Sequence, residues 1–227
     1  NEESRQLLGK IGITDVEITG DTRFDRVLQI AEQAKQLPVV EAFKQHRKVF
    51  VAGSSWQPDE DIFIKFFNEH REWKLIIAPH VIGEDHLRQI LSKLQRKTVR
   101  YTQTSPKEAA EADCLIIDCF GLLSSIYHYG EVAYVGGGFG VGIHNVLEAA
   151  VWDVPVIFGP NNNRFQEAQE LLALKGGFEI DDERQFAELM TRLMADEDYL
   201  HEHGKAAGDY VKGRAGASAK ILSEVKL

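Results

Sequence analysis

From about residue 48 onward, short apolar runs alternate with stretches of helical periodicity. The runs Lys48–Ala52, Lys74–Ala78, Thr98–Tyr101, Cys114–Asp118, Val132–Val135 and Pro155–Phe158 read as strands, with Phe178–Ile180 as an added edge. Several are apolar almost throughout, as in Leu115-Ile116-Ile117 and Val154 to Phe158, which is the pattern of strands covered on both faces. Between them, Ile62, Phe63, Phe66 and Phe67 form one stripe at helical spacing, Leu87, Ile90, Leu91 and Leu94 a second, and Phe186, Leu189, Met190 and Leu193 a third. Gly83-Glu84-Asp85 supplies an acidic first turn for the second of these helices. Met190 and Met194, four residues apart, read as core filler. The alternation predicts an α/β fold, a Rossmann-like parallel sheet with helices on both faces.

The two ends read differently. Ile18-Thr19-Gly20-Asp21 looks like a strand end and a helix cap, leading into a helix with Phe24, Val27, Leu28 and Ala31 on one face before Pro38 interrupts. This reads as a lead-in helix over 1–37, a candidate interdomain linker to something upstream, and one domain over 38–227. After Asp196 the pattern is a polar helix, weakened by Gly204, Gly208, Gly213 and Gly216, with His201 and His203 on it. The chain opens on Asn1 rather than Met, so it is expected to begin partway through a longer gene product.

Composition narrows the partners. With 26 Lys and Arg against 35 Asp and Glu, the formal net charge is −9, which argues against nucleic acid as a partner over any broad surface. The two cysteines, Cys114 and Cys119, are too few for a disulfide framework or a zinc site and read as reduced, semi-buried thiols. No apolar stretch approaches a membrane span, and no signal-peptide pattern opens the chain.

The densest candidate chemistry is the stretch from Tyr134 to Ala150. A strand ends in a loop holding Gly136, Gly137, Gly138, Gly140 and Gly142, and the loop opens a helix that carries His144 and Glu148 on one face. Glycines allow close backbone approach and expose amides, and a helix N-terminus favours an anion, so phosphate is the expected occupant. Glu148, one turn inside, suits the hydroxyls of a ribose. The spacing Gly138-x-Gly140-x-Gly142 is not a dinucleotide fingerprint, and no Gly-Lys-Ser/Thr triplet makes a Walker loop.

Further loops fall on the same carboxyl edge of the sheet, where open α/β folds take their ligands. Ala52-Gly53-Ser54-Ser55-Trp56 is a small hydroxylated turn, Pro79-His80 follows the next strand, and Asp118-Cys119-Phe120-Gly121-Leu122-Leu123 offers amides for a base edge. Gly159-Pro160-Asn161-Asn162-Asn163-Arg164-Phe165 brings three polar amides, of which Asn163 is a candidate contact, and either Arg164 or Arg23 could neutralise a phosphate. No Ser/His/Asp order and no clustered metal ligands appear, so neither a metal nor any other cofactor is expected.

Four of these segments, in this order, resemble the C-terminal half of 3-deoxy-D-manno-octulosonic acid (Kdo) transferases: Gly20-Asp21-Thr22-Arg23-Phe24-Asp25, Ala52-Gly53-Ser54, Val135-Gly136-Gly137 through His144-Asn145-x-Leu147-Glu148-Ala149-Ala150, and Gly159-Pro160-Asn161 through Phe165. The likeness runs from about Val16 to Asp198, and the His-Asn-x-Leu-Glu-Ala-Ala stretch followed by Gly-Pro is its most specific part. It implies a GT-B architecture whose C-terminal domain holds CMP-Kdo. The N-terminal domain, which has no counterpart in this sequence, would hold the lipid A precursor and the catalytic base. The resemblance therefore implies an isolated donor-binding domain, inactive by itself, from an enzyme of lipopolysaccharide biosynthesis at the cytoplasmic face of the bacterial inner membrane, the fragment itself being soluble.

Carried onto this chain, the family's pattern places Gly137, Gly138, Gly142, His144 and Asn145 around the donor phosphate or sugar. Glu148 would hold the ribose, Ser54 the phosphate, and Phe120 and Gly121 the cytosine. Arg23 matches a basic position of the family, and His80 and Asn163 complete the candidate set. Two departures stand out: Pro79-His80 lacks the arginine of the family's Pro-Arg-His, and Asp118-Cys119-Phe120-Gly121-Leu122-Leu123 replaces Asp-Thr-x-Gly-Glu-Leu. Alternatives are the donor domain of another GT-B enzyme using a UDP- or GDP-sugar, a sugar-nucleotide epimerase, or a non-catalytic nucleotide-sensing module.

Overall fold

The computed structural model describes residues 1–224. Seven strands, β1 (Val49–Ser55), β2 (Lys74–Pro79), β3 (Thr98–Arg100), β4 (Cys114–Ile116), β5 (Val132–Val135), β6 (Val156–Phe158) and β7 (Gly177–Glu179), form one sheet in the order β3-β4-β2-β1-β5-β6-β7. Every pairing is parallel. The helices are α1 (Glu2–Gly9), α2 (Thr22–Glu32), α3 (Pro38–Lys44), α4 (Gln57–Glu69), α5 (Glu84–Lys93), α6 (Pro106–Ala110), α7 (Leu123–Ile126), α8 (Leu147–Ala150), α9 (Gln166–Ala173), α10 (Glu183–Ala195), α11 (Glu197–Gly213) and α12 (Ala217–Glu224).

Alternation along each strand divides the core in two. Phe50, Ala52, Leu75, Ile77, Cys114, Ile116 and Tyr134 face α4, α5 and α10, where Phe63, Phe67, Leu87, Ile90, Phe186 and Met190 are fully buried. Val49, Val51, Ile76, Leu115, Ala133, Val156 and Phe158 face the opposite way, toward α2, α3, α8, α9 and α11. Both faces are therefore dry, the reason these strands lack polar alternation. Phe50 stands at the centre of the first layer, with Phe63, Phe67, Tyr134 and Phe186 ringed around it at centroid distances of 4.8–6.4 Å. Burial pushes the Cys114 thiol up to about 12, so it is an inert core residue.

The lead-in helix α2 packs on this body: Phe24 and Val27 are buried in the second layer, and Phe24 meets Tyr210 of α11 edge to face at 5.3 Å. Asp25 accepts from the Ser218 amide at 2.8 Å and from the Gly216 amide, so it caps α12 from across the chain.

The glycine-weakened tail also differs from expectation. α11 is a continuous helix of 17 residues that buries Leu200, His203, Ala207, Tyr210 and Val211. Its glycines are contact points: a Cβ on Gly204 would lie 2.3 Å from the Asp153 carbonyl oxygen, and one on Gly208 would strike the Asp153 carboxylate. The helix rests on the turn between α8 and β6, and Lys212 grips Asp153 at 2.7 Å. Overpacking of this kind costs about 1–3 kcal/mol. Gly204→Ala should lower the melting temperature by roughly 3–10 °C in a thermal scan, whereas alanine at Gly213, which has open space around it, should not.

Candidate functional site

The strand order reverses between β1 and β5, and their carboxyl ends open the crevice that parallel α/β sheets use for ligands. Three loops meet there. β1 runs on through Ser55 instead of turning at Gly53, and its pairing with β2 slips at Ser54, a bulge residue with φ 52°. The expected turn is therefore a kinked strand end that delivers Trp56 to the rim.

Trp56, His80 and His144 come together from the ends of β1, β2 and β5. The Trp56 indole N–H donates to His144 Nε2 at 3.2 Å. His80 lies over both rings, with centroids 4.6 Å from Trp56 and 4.5 Å from His144 and interplanar angles of 24° and 27°. An indole nitrogen only donates, so Nε2 of His144 accepts and its ring hydrogen sits on Nδ1. Burial, followed by the neighbouring His80, lowers the His144 pKa, with Asp59 and Glu148 pulling the other way. His144 is thus a neutral donor at pH 7.

One turn on, Glu148 is held by Ser124 Oγ at 3.0 Å and Asn145 Nδ2 at 3.1 Å. Each carboxylate oxygen carries one protein donor and retains acceptor capacity. Asn145 also takes the Leu147 amide at 3.2 Å. Asn145 and Val146, directly before α8, keep backbone amides with no internal partner among the described hydrogen bonds.

The expected glycine cradle is only partly an open set of amides. The Gly140 and Gly142 amides donate to the Gly137 carbonyl at 3.0 and 3.1 Å, the His144 amide to Gly136 at 3.1 Å, and the Gly136 amide to Gly53 at 2.9 Å. The Gly137 amide is taken by the carboxylate of buried Asp59, which also accepts from the Trp56 amide and the Tyr134 hydroxyl. Burial raises the Asp59 pKa against those three donors. The glycines serve contact between loops: a Cβ on Gly138 would sit 2.6 Å from Gly159, and one on Gly136 would sit 2.4 Å from the Ser54 carbonyl oxygen. α8 is only four residues long, too short to sum much of a macrodipole. The amides of Gly138, Phe139, Val141 and Ile143 in the loop, and of Asn145 and Val146 after it, have no partner among the described hydrogen bonds, although Val146 is fully buried.

The other candidates separate. Phe120 is 75% exposed beside Gly121, on a loop anchored by Asp118, which accepts from Thr102 and Arg100. Arg23 is not a free cation: it is paired with Asp21 and with buried Glu167, each at 2.7 Å. Those carboxylates compete with any phosphate for it. Arg164 instead donates to the Val141 carbonyl and lies 5.2 Å from the Phe165 ring, on the outer side of the glycine loop. Of the three asparagines, Asn162 is the buried one and braces its loop through Gly159, while Asn163 points into solvent. Trp56, Asp59 and Ser124 were not singled out from the sequence; only Asp59, three residues after the helix cap, carries a local signal. Fully buried Glu60 adds another tie, accepting from Ser55 and meeting His86 Nε2, both at 3.0 Å.

No family model matches the chain. Its sequence is similar to the 3-deoxy-D-manno-octulosonic acid transferase of Aquifex aeolicus, 34% identical over 153 residues, covering 64% of this chain and 41% of that protein. The enzyme of the same name from Chlamydophila psittaci is 33% identical over 190 residues, covering 81% and 40%. The chain thus spans about two fifths of the length of these curated relatives. Among solved structures, the C-terminal CMP-Kdo binding domain of WaaA from Acinetobacter baumannii superposes with a TM-score of 0.66 at 22% identity, covering 84% of this chain and 98% of that one. A UDP-GlcNAc 2-epimerase from Neisseria meningitidis gives 0.69 at 17% identity, covering 98% and 58%. These likenesses show the fold; the sequence matches add the kinship. The chain is a homologue of the 3-deoxy-D-manno-octulosonic acid transferases, with the fold of a GT-B C-terminal domain.

Proposed function

We propose that this chain is the donor-binding part of a Kdo transferase and takes CMP-Kdo at the carboxyl edge between β1 and β5. The observation that carries the reading is Glu148, a partly buried carboxylate oriented by Ser124 and Asn145 with acceptor capacity left over. It stands on the same segment whose motif the Kdo transferases share. In this reading Glu148 accepts from the ribose hydroxyls and the Phe120-Gly121 loop meets the cytosine. The amide of Asn145, with Ser54, holds the phosphate. His144 reaches the phosphate, and His80 faces the sugar. Arg164 supplies the positive charge, because Arg23 is already neutralised.

Transfer breaks the bond between the Kdo anomeric carbon and the CMP phosphate oxygen while the acceptor hydroxyl attacks from the opposite face. CMP leaves as a phosphate monoester, and the donors around it stabilise the charge that grows there. No metal is assigned a part in this scheme. The base that removes the hydroxyl proton must stand on the far side of the sugar. In this proposal it belongs, with the lipid A precursor, to a second GT-B domain at a membrane surface. Among the described residues of this chain no helix is long and apolar enough to cross a membrane.

Calorimetric titration with CMP, UDP and GDP tests the reading. CMP should bind, and the other two only weakly; a preference for UDP or GDP would reassign the donor, and no binding of any nucleotide would reject the site. Hydrogen bonds to a charged group are worth about 1.5–3 kcal/mol, so Glu148→Gln should weaken CMP binding roughly 10- to 100-fold with an unchanged circular dichroism spectrum. Arg164→Ala should weaken it about tenfold and flatten its salt dependence, whereas Arg23→Ala should act on stability through unpaired Glu167 and leave that salt dependence in place.

A further inference from the structure

The three rings at the rim have an arrangement that the donor reading does not require. The N–H···N bond between Trp56 and His144 sets the two rings edge to edge, because an indole N–H and an imidazole lone pair both lie in their ring planes. The centroid of His80 is nearly equidistant from the two, so its ring covers the seam between them. Each ring comes from a different strand end: Trp56 follows β1, His80 follows β2 and His144 follows the β5 loop. Trp56 is itself fixed, since its backbone amide donates to Asp59 at 2.9 Å and Asp59 also receives Gly137 and Tyr134.

We propose that Trp56 is a positioning residue for His144: its indole N–H occupies Nε2, so that Nδ1–H is the one donor the imidazole can present to the bound donor substrate. The inference rests on the reading that His144 contacts that substrate. An imidazole free in a loop samples two tautomers and two ring flips, and only some present a donor to the ligand. Here one nitrogen is occupied by a group that cannot accept, which fixes the tautomer, and the covering His80 ring resists the flip. The partner also resists protonation: a hydrogen on Nε2 would face the indole N–H, and the imidazolium would lie beside His80 in a partly buried site. The charged groups that favour protonation, Asp59 at the start of α4 and Glu148 on α8, are both occupied by other donors. His144 therefore offers the donor substrate a directed hydrogen bond without a charge, and the cation for the phosphate comes from elsewhere.

Nitrogen-15 spectra of the histidine side chains, recorded across pH, test this directly. The wild-type protein should show His144 as the Nδ1–H tautomer, titrating below free histidine. A proton on Nε2 at neutral pH would overturn the proposal without any variant being made. In Trp56→Phe the indole donor is lost, so the His144 titration should move up in pH and the second tautomer should appear. CMP should then bind roughly two- to tenfold more weakly at neutral pH, the worth of one hydrogen bond, with the deficit narrowing as pH falls through the new titration, because the imidazolium donates from both nitrogens. If Trp56→Phe leaves both the tautomer and the CMP affinity as in wild type, the positioning role is wrong. If wild-type protein shows the expected tautomer but binds no CMP, the donor reading fails instead. A loss of CMP affinity with an unchanged tautomer and no pH dependence would mark Trp56 as merely structural and overturn the proposal.

Discussion

At the carboxyl ends of β1, β5 and β6 three stretches of backbone pass in direct contact, with no side chain between them. Gly136 lies against the Ser54 carbonyl, Gly138 against Gly159, and the Gly136 amide closes onto Gly53. Everything at the rim follows from that closeness. It draws the loop after β5 across the end of β1, so that His144 reaches Trp56, and it lays the Gly159–Phe165 segment alongside, so that Arg164 meets Val141. A methyl group at either contact would wedge the strand ends apart by an ångström or more, a distance over which a directed hydrogen bond is lost. The glycines thus act on a ligand at one remove, by setting how near the loops lie.

Electrostatically the crevice is more self-contained than its acidic composition suggests. Asp59 receives three protein donors, Asp118 is held by Thr102 and Arg100, and Arg23 is spent on two carboxylates. These groups build the walls. What is left toward solvent is a short list of neutral donors and one flanking guanidinium, beside a carboxylate suited to hydroxyl groups. Such a surface discriminates by hydrogen-bond direction more than by net charge.

The sheet was legible because burial on both faces leaves an unmistakable trace: Leu115-Ile116-Ile117 and Val132–Val135 have nowhere to go but the interior. Helix faces such as Phe63, Phe66 and Phe67 were legible for the same reason. Less visible were features set by tertiary approach. Nothing in the spacing of Gly204 and Gly208 reveals that they are seats for the Asp153 turn, and a polar count misreads His203, whose ring is buried against Phe178 and Tyr199. At the site, Glu148 was identifiable as a carboxylate behind the glycine loop, but the helical face it was expected to share with His144 does not form: α8 begins at Leu147, and His144 stands in the loop before it. Which of the loop's amides are taken was not legible: those of Gly136, Gly137, Gly140 and Gly142 are paired internally, and a run of glycines does not reveal it. Trp56 and Ser124 lie 88 and 24 residues from the groups they orient, beyond any local pattern.

The capping of α12 by Asp25 joins two stretches of chain that are far apart in sequence. With Lys220 reaching back to Glu17 and the Ile18 carbonyl, residues 17–25 and 216–220 make a single stitched corner, seated on Tyr210 through Phe24. A displacement imposed on either stretch is felt by the other, and passes into α7, α8 and α11, all of which α2 touches. Mechanically, that corner is where the body would be steered: a lever whose short arm is the N-terminal lead-in and whose fulcrum is one aspartate.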